Sequence, residues 1–158
     1  MEFNSERARR TSEKMRDFAC SLFGEVNVKR LDGVLALQEG STVVYLRVFP
    51  IGEKTGVEVF SYVAVEVEAT ERLMRFLLAY NLKLMMGGFG LLLAEDGKAT
   101  VLLTQTMLGE TLSEEELYAA VSAIAGVADR LDDVIVEKFG GRTAIDMAGA
   151  GDPHERWE

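Results

Sequence analysis

Histidine and cysteine are almost missing from this chain of 158 residues: His154 and Cys20 stand alone. A single histidine, set in a polar C-terminal stretch, excludes Ser-His-Asp and Cys-His arrangements and His-rich metal sites in any rigid setting. A single cysteine allows no internal disulfide, which suits a reducing compartment, so a cytoplasmic location is expected. Cys20 lies in an apolar stretch and reads as a small core residue rather than a nucleophile. No run approaches the roughly 18 apolar residues that a membrane span needs. The charged start has no apolar h-region, so no signal peptide is expected. The glycine pairs Gly87-Gly88 and Gly140-Gly141 form neither G-x-G-x-x-G nor a Walker motif, and each suits a helix end. Positive charge is outnumbered: 17 Lys and Arg stand against 26 Asp and Glu. The net charge is −9, which opposes binding to nucleic acid or to an anionic membrane. The basic run Arg7, Arg9, Arg10, Lys14 and Arg16 is diluted by Glu2, Glu6, Glu13 and Asp17 and reads as a solvated helix face. These absences leave no cofactor and no enzyme chemistry to expect.

What remains is enough for one domain. A chain of this size buries roughly 68–70% of its unfolded surface and needs neither disulfide nor metal to fold. Asn4 or Ser5 can cap a first helix reaching about Phe23, with Ala8, Met15, Phe18, Ala19 and Leu22 at helical spacing. A strand-rich block follows: Val26 and Val28, then Val34 to Leu37 after an Asp32-Gly33 turn, then Thr42 to Phe49 after Glu39-Gly40. Pro50 to Gly56 reads as a loop. In Val57 to Val67 the alternation is clearest, with Val57, Val59, Val63, Val65 and Val67 on one face.

Thr70 caps a second helix expected from Glu71 to about Met85. Strands at 89–94 and 99–105 flank Asp96-Gly97, a type I′ hairpin signal. Ser113 and Glu116 make a capping box for a third helix, along which Leu117, Val121, Ile124, Ala128, Leu131 and Ile135 repeat. The order is α-β-β-β-α-β-β-α. The fold class is therefore α+β, an antiparallel sheet of about five strands with three helices, in one domain over 1–141. Residues 142–158 are expected to form a polar, mobile tail.

Two surfaces invite a functional reading. At about 100° per residue, the apolar residues of the second helix cover roughly 200°, about twice the stripe needed to dock on a sheet. Leu73, Leu77, Tyr80 and Leu84 centre one side; Met74, Leu78 and Met85 centre the other. The second side is covered either by another helix of this chain or by another subunit. The outer face of the sheet carries Tyr45, Arg47, Phe49, Phe60 and Tyr62. Aromatics and arginine there fit a binding surface for a segment of a client protein, or else cross-strand pairs that stabilise the sheet. Asp129, Asp132 and Asp133 share a face of the third helix; they suit a hard cation in number, but beside Arg130 and Lys138 they read as solvated, and no metal is expected.

The order of elements resembles the type III secretion chaperone-like fold, in particular its YbjN-type branch. The likeness is carried by Leu77-Leu78-Ala79-Tyr80-Asn81, Gly88-Phe89-Gly90, Leu108-Gly109, Ala128-Asp129 with Leu131-Asp132-Asp133, and Phe139-Gly140-Gly141. The resemblance implies a homodimer formed through the second helix, with Met74, Leu78, Leu82 and Met85 at the interface. It also implies a non-enzymatic, chaperone-like or regulatory role in holding a client protein. A small-molecule or metal-responsive regulator is the alternative. A deep pocket with convergent polar groups would favour it.

Overall fold

A computed structural model describes residues 6–40 and 42–144. The first helix, α1, spans Glu6–Phe23, and a 3-10 turn at Glu25–Asn27 leads into β1 (Val28–Leu31). Strands β2 (Val34–Glu39), β3 (Thr42–Ile51) and β4 (Lys54–Glu68) follow, then α2 (Glu71–Asn81). Strands β5 (Gly88–Leu93) and β6 (Lys98–Leu108), the long helix α3 (Glu114–Phe139) and a short β7 (Arg142–Thr143) complete the order. The α+β class and the order of elements are as the sequence implies, but the antiparallel sheet has seven strands rather than about five, in the order β1-β2-β3-β4-β6-β5 with β7 beside β4.

The additional strand content comes from β1, from the 50–56 segment and from β7. Lys29 to Leu31 pair with β2 through a two-residue turn in which Asp32 and Gly33 both take positive φ, 38° and 85°. That is the backbone of a type I′ turn. Val26, expected in a strand, lies in the 3-10 turn and is 87% exposed. The segment read as a loop at Pro50 to Gly56 is instead continuous strand, pairing Phe49 with Gly56, Pro50 with Thr55 and Ile51 with Lys54. Gly52, at φ 58°, supplies the first position of a tight two-residue turn. Pro50 is tolerated because β2 pairs with β3 only as far as Leu46, so one side of β3 is open there.

The Asp96-Gly97 turn is not type I′: only Gly97 has positive φ. Gly97 N–H donates to Ala94 O, Ala94 N–H donates to Lys98 O, and the Asp96 side chain accepts from Lys98 N–H. This is the three-residue hairpin loop with an αL glycine.

All three helices place their core residues on one face of the sheet. Met15 and Ala19 of α1, Leu73 and Leu77 of α2, and Leu117 through Ile135 of α3 join one cluster with Leu35, Leu37, Val44, Leu46, Val48, Val57, Val59, Val63, Val101 and Leu103. Strand alternation puts those strand residues on a common face. The expected valine row of β4 holds at Val57, Val59, Val63 and Val67 and fails at Val65. Register shifts at Ala64, with Glu66 at φ 57°, turn the strand, so Ala64 enters the core in place of Val65, which is buried outside the main cluster, and Val67 rejoins it. Bulges of this kind re-aim side chains and sharpen twist.

The N-caps of α2 and α3 are those read from sequence. Thr70 Oγ1 accepts from Leu73 N–H, and Ser113 with Glu116 forms a reciprocal capping box. At the far end of α3 the chain passes Gly140 and Gly141, both at positive φ, into β7. A Cβ at Gly141 would fall 2.5 Å from Val65 O, so only glycine lets the chain lie this close to β4. Arg142 and Thr143, the first residues of the expected tail, thus pair with Val65 and Ala64, and Arg142 bridges Glu66 at 2.8 Å. Residues 145–158, with His154, and the caps Asn4 and Ser5 lie outside the described residues. Among the described residues no helix is long and apolar enough to cross a membrane.

Candidate protein-binding surfaces

Helix α2 divides as its wheel suggests. Leu73 and Leu77 are buried and Tyr80 is half-buried, its ring 5.9 Å from both Phe76 and Phe89. On the other side Met74 is 38% and Leu78 68% exposed. The helix ends at Asn81, four residues short of the expected Met85, and its last turn shows why. The Asn81 amide donates to Phe89 O at 3.4 Å and accepts from Phe89 N–H at 2.7 Å, tying the helix end to the start of β5. Lys83 N–H then bonds Tyr80 O, and Leu84 N–H bonds Asn81 O, tightening the chain into turns. Leu82 and Met85 therefore stand beyond the helix, at 91% and 97% exposure. Met74 and Leu78 are thus exposed apolar residues one turn apart on α2, and Leu82 and Met85 are exposed beyond its end.

The second surface is the sheet face opposite the helices. Register sets its rows: Lys29, Ala36, Tyr45, Phe60, Thr104 and Gly88 lie on one rung, and Arg47, Glu58 and Thr106 on another. Tyr45 stacks on Phe60 at 5.3 Å between centroids, and Tyr62 meets both edge-on at 5.5 and 5.7 Å. Phe60 and Tyr62 are 3% and 6% exposed, whereas Tyr45 and Phe49 are half-buried. Phe49 stands apart from the other three. Its ring lies over Gly56, where a Cβ would fall 2.6 Å from it. The five sequence candidates thus separate into a three-ring cluster with Arg47 beside it, and Phe49 at one end.

Electrostatics fixes the cluster. Arg47 donates to Glu58 Oε2 from Nε at 2.7 Å and from Nη2 at 2.6 Å, with its guanidinium 5.6 Å from the Phe60 ring centre. Thr104 Oγ1 donates to Glu58 Oε1 at 2.7 Å, so both oxygens of a nearly buried carboxylate are held. Sequence alternation places Glu58 on this face, but its partners follow from register, which the misread 50–56 segment concealed. The expected result for Arg47→Ala is a loss of about 1–3 kcal/mol in denaturant melts, because Glu58 Oε2 loses both Arg47 N–H donors and only the Thr104 bond to Oε1 remains. Adding Glu58→Gln should restore part of that loss.

Asp129, Asp132 and Asp133 sit on α3, and among the described residues no three metal-ligating side chains converge. Burial, and then the charges of Asp133 and Asp129, raise the Asp132 carboxyl above its ordinary value. A raised folded value means the native state holds this proton more tightly than the unfolded chain. The contribution is present at low pH and is lost as pH rises from the usual carboxylate range through the raised value. Asp132→Asn should therefore melt higher than wild type at pH 7, by less than about 1 kcal/mol, and the difference should vanish in acid. An open depression lies between Arg7 and Arg10 of α1 and the turn at Gly52 and Glu53. Arg7 closes part of it by donating to Glu53 O. The buried polar residue in its lining is Thr55, whose Oγ1 is already bonded to Thr11 and Glu110.

The fold is shared with solved structures of low identity. The ExsC–ExsE complex matches at TM-score 0.56 and 18% identity, over 78% of this chain and 94% of that chain. The Yersinia pestis type III secretion chaperone SycH, in complex with a stable fragment of YscM2, matches at 0.52 and 21%, over 77% and 98%. YbjN from E. coli matches at 0.54 and 12%, over 77% and 91%. No curated protein matches by sequence. A family model does, over residues 13–147: the chain belongs to the TY-Chap1 family, T3SS (YopN, CesT) and YbjN peptide-binding chaperone 1.

Proposed function

We propose that this protein is a homodimeric, non-enzymatic chaperone that holds an extended or helical segment of a client protein on its outer sheet face. The observation that carries the reading is the Tyr45–Phe60–Tyr62 cluster, braced by the Arg47–Glu58 pair on the face that no helix core residue occupies. Rigid aromatic rings with an adjacent arginine give contact area at little cost in side-chain entropy. Membership in a family of peptide-binding chaperones supports the client class. So does the fold likeness to a protein solved with a fragment of its partner. Met74, Leu78, Leu82 and Met85 are the proposed contact between subunits, an isologous arrangement that brings the same residues together from both copies.

The test is to isolate the chain with its bound protein from cells that make it. Capture is then compared between wild type, Tyr45→Ser and Leu78→Glu. The reading expects capture to fall with Tyr45→Ser while the melting temperature stays close to wild type. Undiminished capture by Tyr45→Ser and by Arg47→Ala would move the client site elsewhere.

A further inference from the structure

Four aromatic rings run in a row on the helix side of the sheet. Phe89 of β5 meets Tyr80 edge-on at 5.9 Å between centroids, Tyr80 meets Phe76 at 5.9 Å, and Phe76 meets Phe139, the last residue of α3, at 5.3 Å. All four are half-buried. Phe89 pairs with the core residue Leu103, so it points away from the face of Gly88, which shares the rung of Tyr45. On α2, Arg72, Phe76 and Tyr80 recur every fourth residue and make one stripe. Met74 and Leu78 point from the opposite side of that helix, so the row is distinct from the proposed subunit contact as well.

A cation lies over three of these rings. Arg72 stands 5.4 Å from the centre of Phe139, Lys138 stands 5.3 Å from that of Phe76, and Lys83 stands 5.6 Å from that of Tyr80. Among the described residues none of the three forms an ion pair, although carboxylates outnumber cations in the chain. Glu71, the acid beside Arg72 in sequence, is held by Arg75 at 2.7 Å. A cation seated on a ring face keeps N–H donors for a further partner, because the ring engages it from one side only. The row therefore alternates apolar rings with unneutralised donors over three steps of 5.3–5.9 Å, a length matched by about five extended residues. A long polyanion would meet the net charge of −9 along its whole length, whereas a short acidic peptide meets mainly the local cations, because salt screens the rest. We propose that this row binds an acidic segment of a partner protein, its carboxylates on Arg72, Lys138 and Lys83 and its apolar side chains on the rings between them. The site does not rest on the client reading of the outer sheet face.

The probe is a fluorescein-labelled peptide that alternates glutamate with leucine and matches the row in length, followed by fluorescence anisotropy with the full chain. The proposal expects saturable binding that weakens as salt is added. Arg72→Gln with Lys138→Gln, both at exposed positions, should weaken it by about tenfold through the loss of two charge-assisted contacts. Arg72→Glu with Lys138→Glu should reverse the preference, toward a peptide with lysine in place of glutamate. Arg7→Gln with Arg10→Gln removes two cations of α1 and should leave the affinity unchanged. Lys83→Gln, at an exposed position beyond α2, supplies a separate reading should the double variants fail to fold, with a several-fold loss expected. Absence of binding to the wild-type chain at millimolar peptide would overturn the proposal. So would an affinity that neither Arg72→Gln with Lys138→Gln nor Lys83→Gln lowers, or one that the α1 pair lowers equally. A glutamine version of the peptide that binds as well as the glutamate one would make the row a purely apolar contact, against the acidic partner. Tighter binding of a single-stranded oligonucleotide, lost in the same variants, would make the ligand a nucleic acid and also overturn it.

Discussion

Leu78→Glu should convert a dimer into a monomer in sedimentation at micromolar concentration, with little change in the melting of the protomer itself. Leu78 is 68% exposed, so the folded protomer accommodates a carboxylate there. Across a two-fold contact the same substitution sets two carboxylates against apolar side chains, and each must be desolvated without a partner. A stable interface buries about 1,200–2,000 Å² in total, and four side chains do not supply that alone. The half-buried Leu91 and the 60% exposed Leu93 of β5 are the natural extension of that contact. A wild-type monomer at that concentration would remove the dimer from the account. A Leu78→Glu chain that unfolds would place Leu78 in a role within the protomer that its exposure does not suggest.

Phe60→Ala and Tyr45→Ala should separate stability from binding. Phe60 is packed between Tyr45, Tyr62 and the Arg47 guanidinium, and its truncation should cost about 3–5 kcal/mol in denaturant melts. Tyr45 is half-buried at the rim of the same cluster, and its loss should cost about 1–2 kcal/mol, mostly the ring-ring contribution. Client capture should fall for both, but only Tyr45→Ala yields a folded protein in which the fall can be read as binding. Capture that survives Tyr45→Ala would make the cluster a stabilising cross-strand group and nothing more.

The helices were largely legible because their signals are local. Thr70, Ser113 and Glu116 act through hydrogen bonds within one turn, and the α3 row from Leu117 to Ile135 needs only helical spacing. The two-sided character of α2 was readable for the same reason. Its end was not, because Asn81 stops the helix through a bond to Phe89, a contact that exists only once β5 lies beneath it. The sheet is less legible. Pro50 and Gly52 look like loop residues, yet a two-residue turn and an open strand side let β3 and β4 run through them. The valine alternation of β4 gives the right core face except at Val65, beside the bulge, which no period-two pattern announces. For the outer face the residue types were visible, but the ring geometry and the bonds to Glu58 depend on register across three strands.

Site-specific photo-crosslinking tests the client face most directly. A photoreactive side chain replaces Leu102, half-buried on the rung of Tyr62, in one variant, and Tyr118, 53% exposed on α3, in another. With the chain in its own cells, the account predicts a client adduct from position 102 that Tyr45→Ala abolishes, and none from position 118. An adduct from position 118 with none from 102 would contradict it.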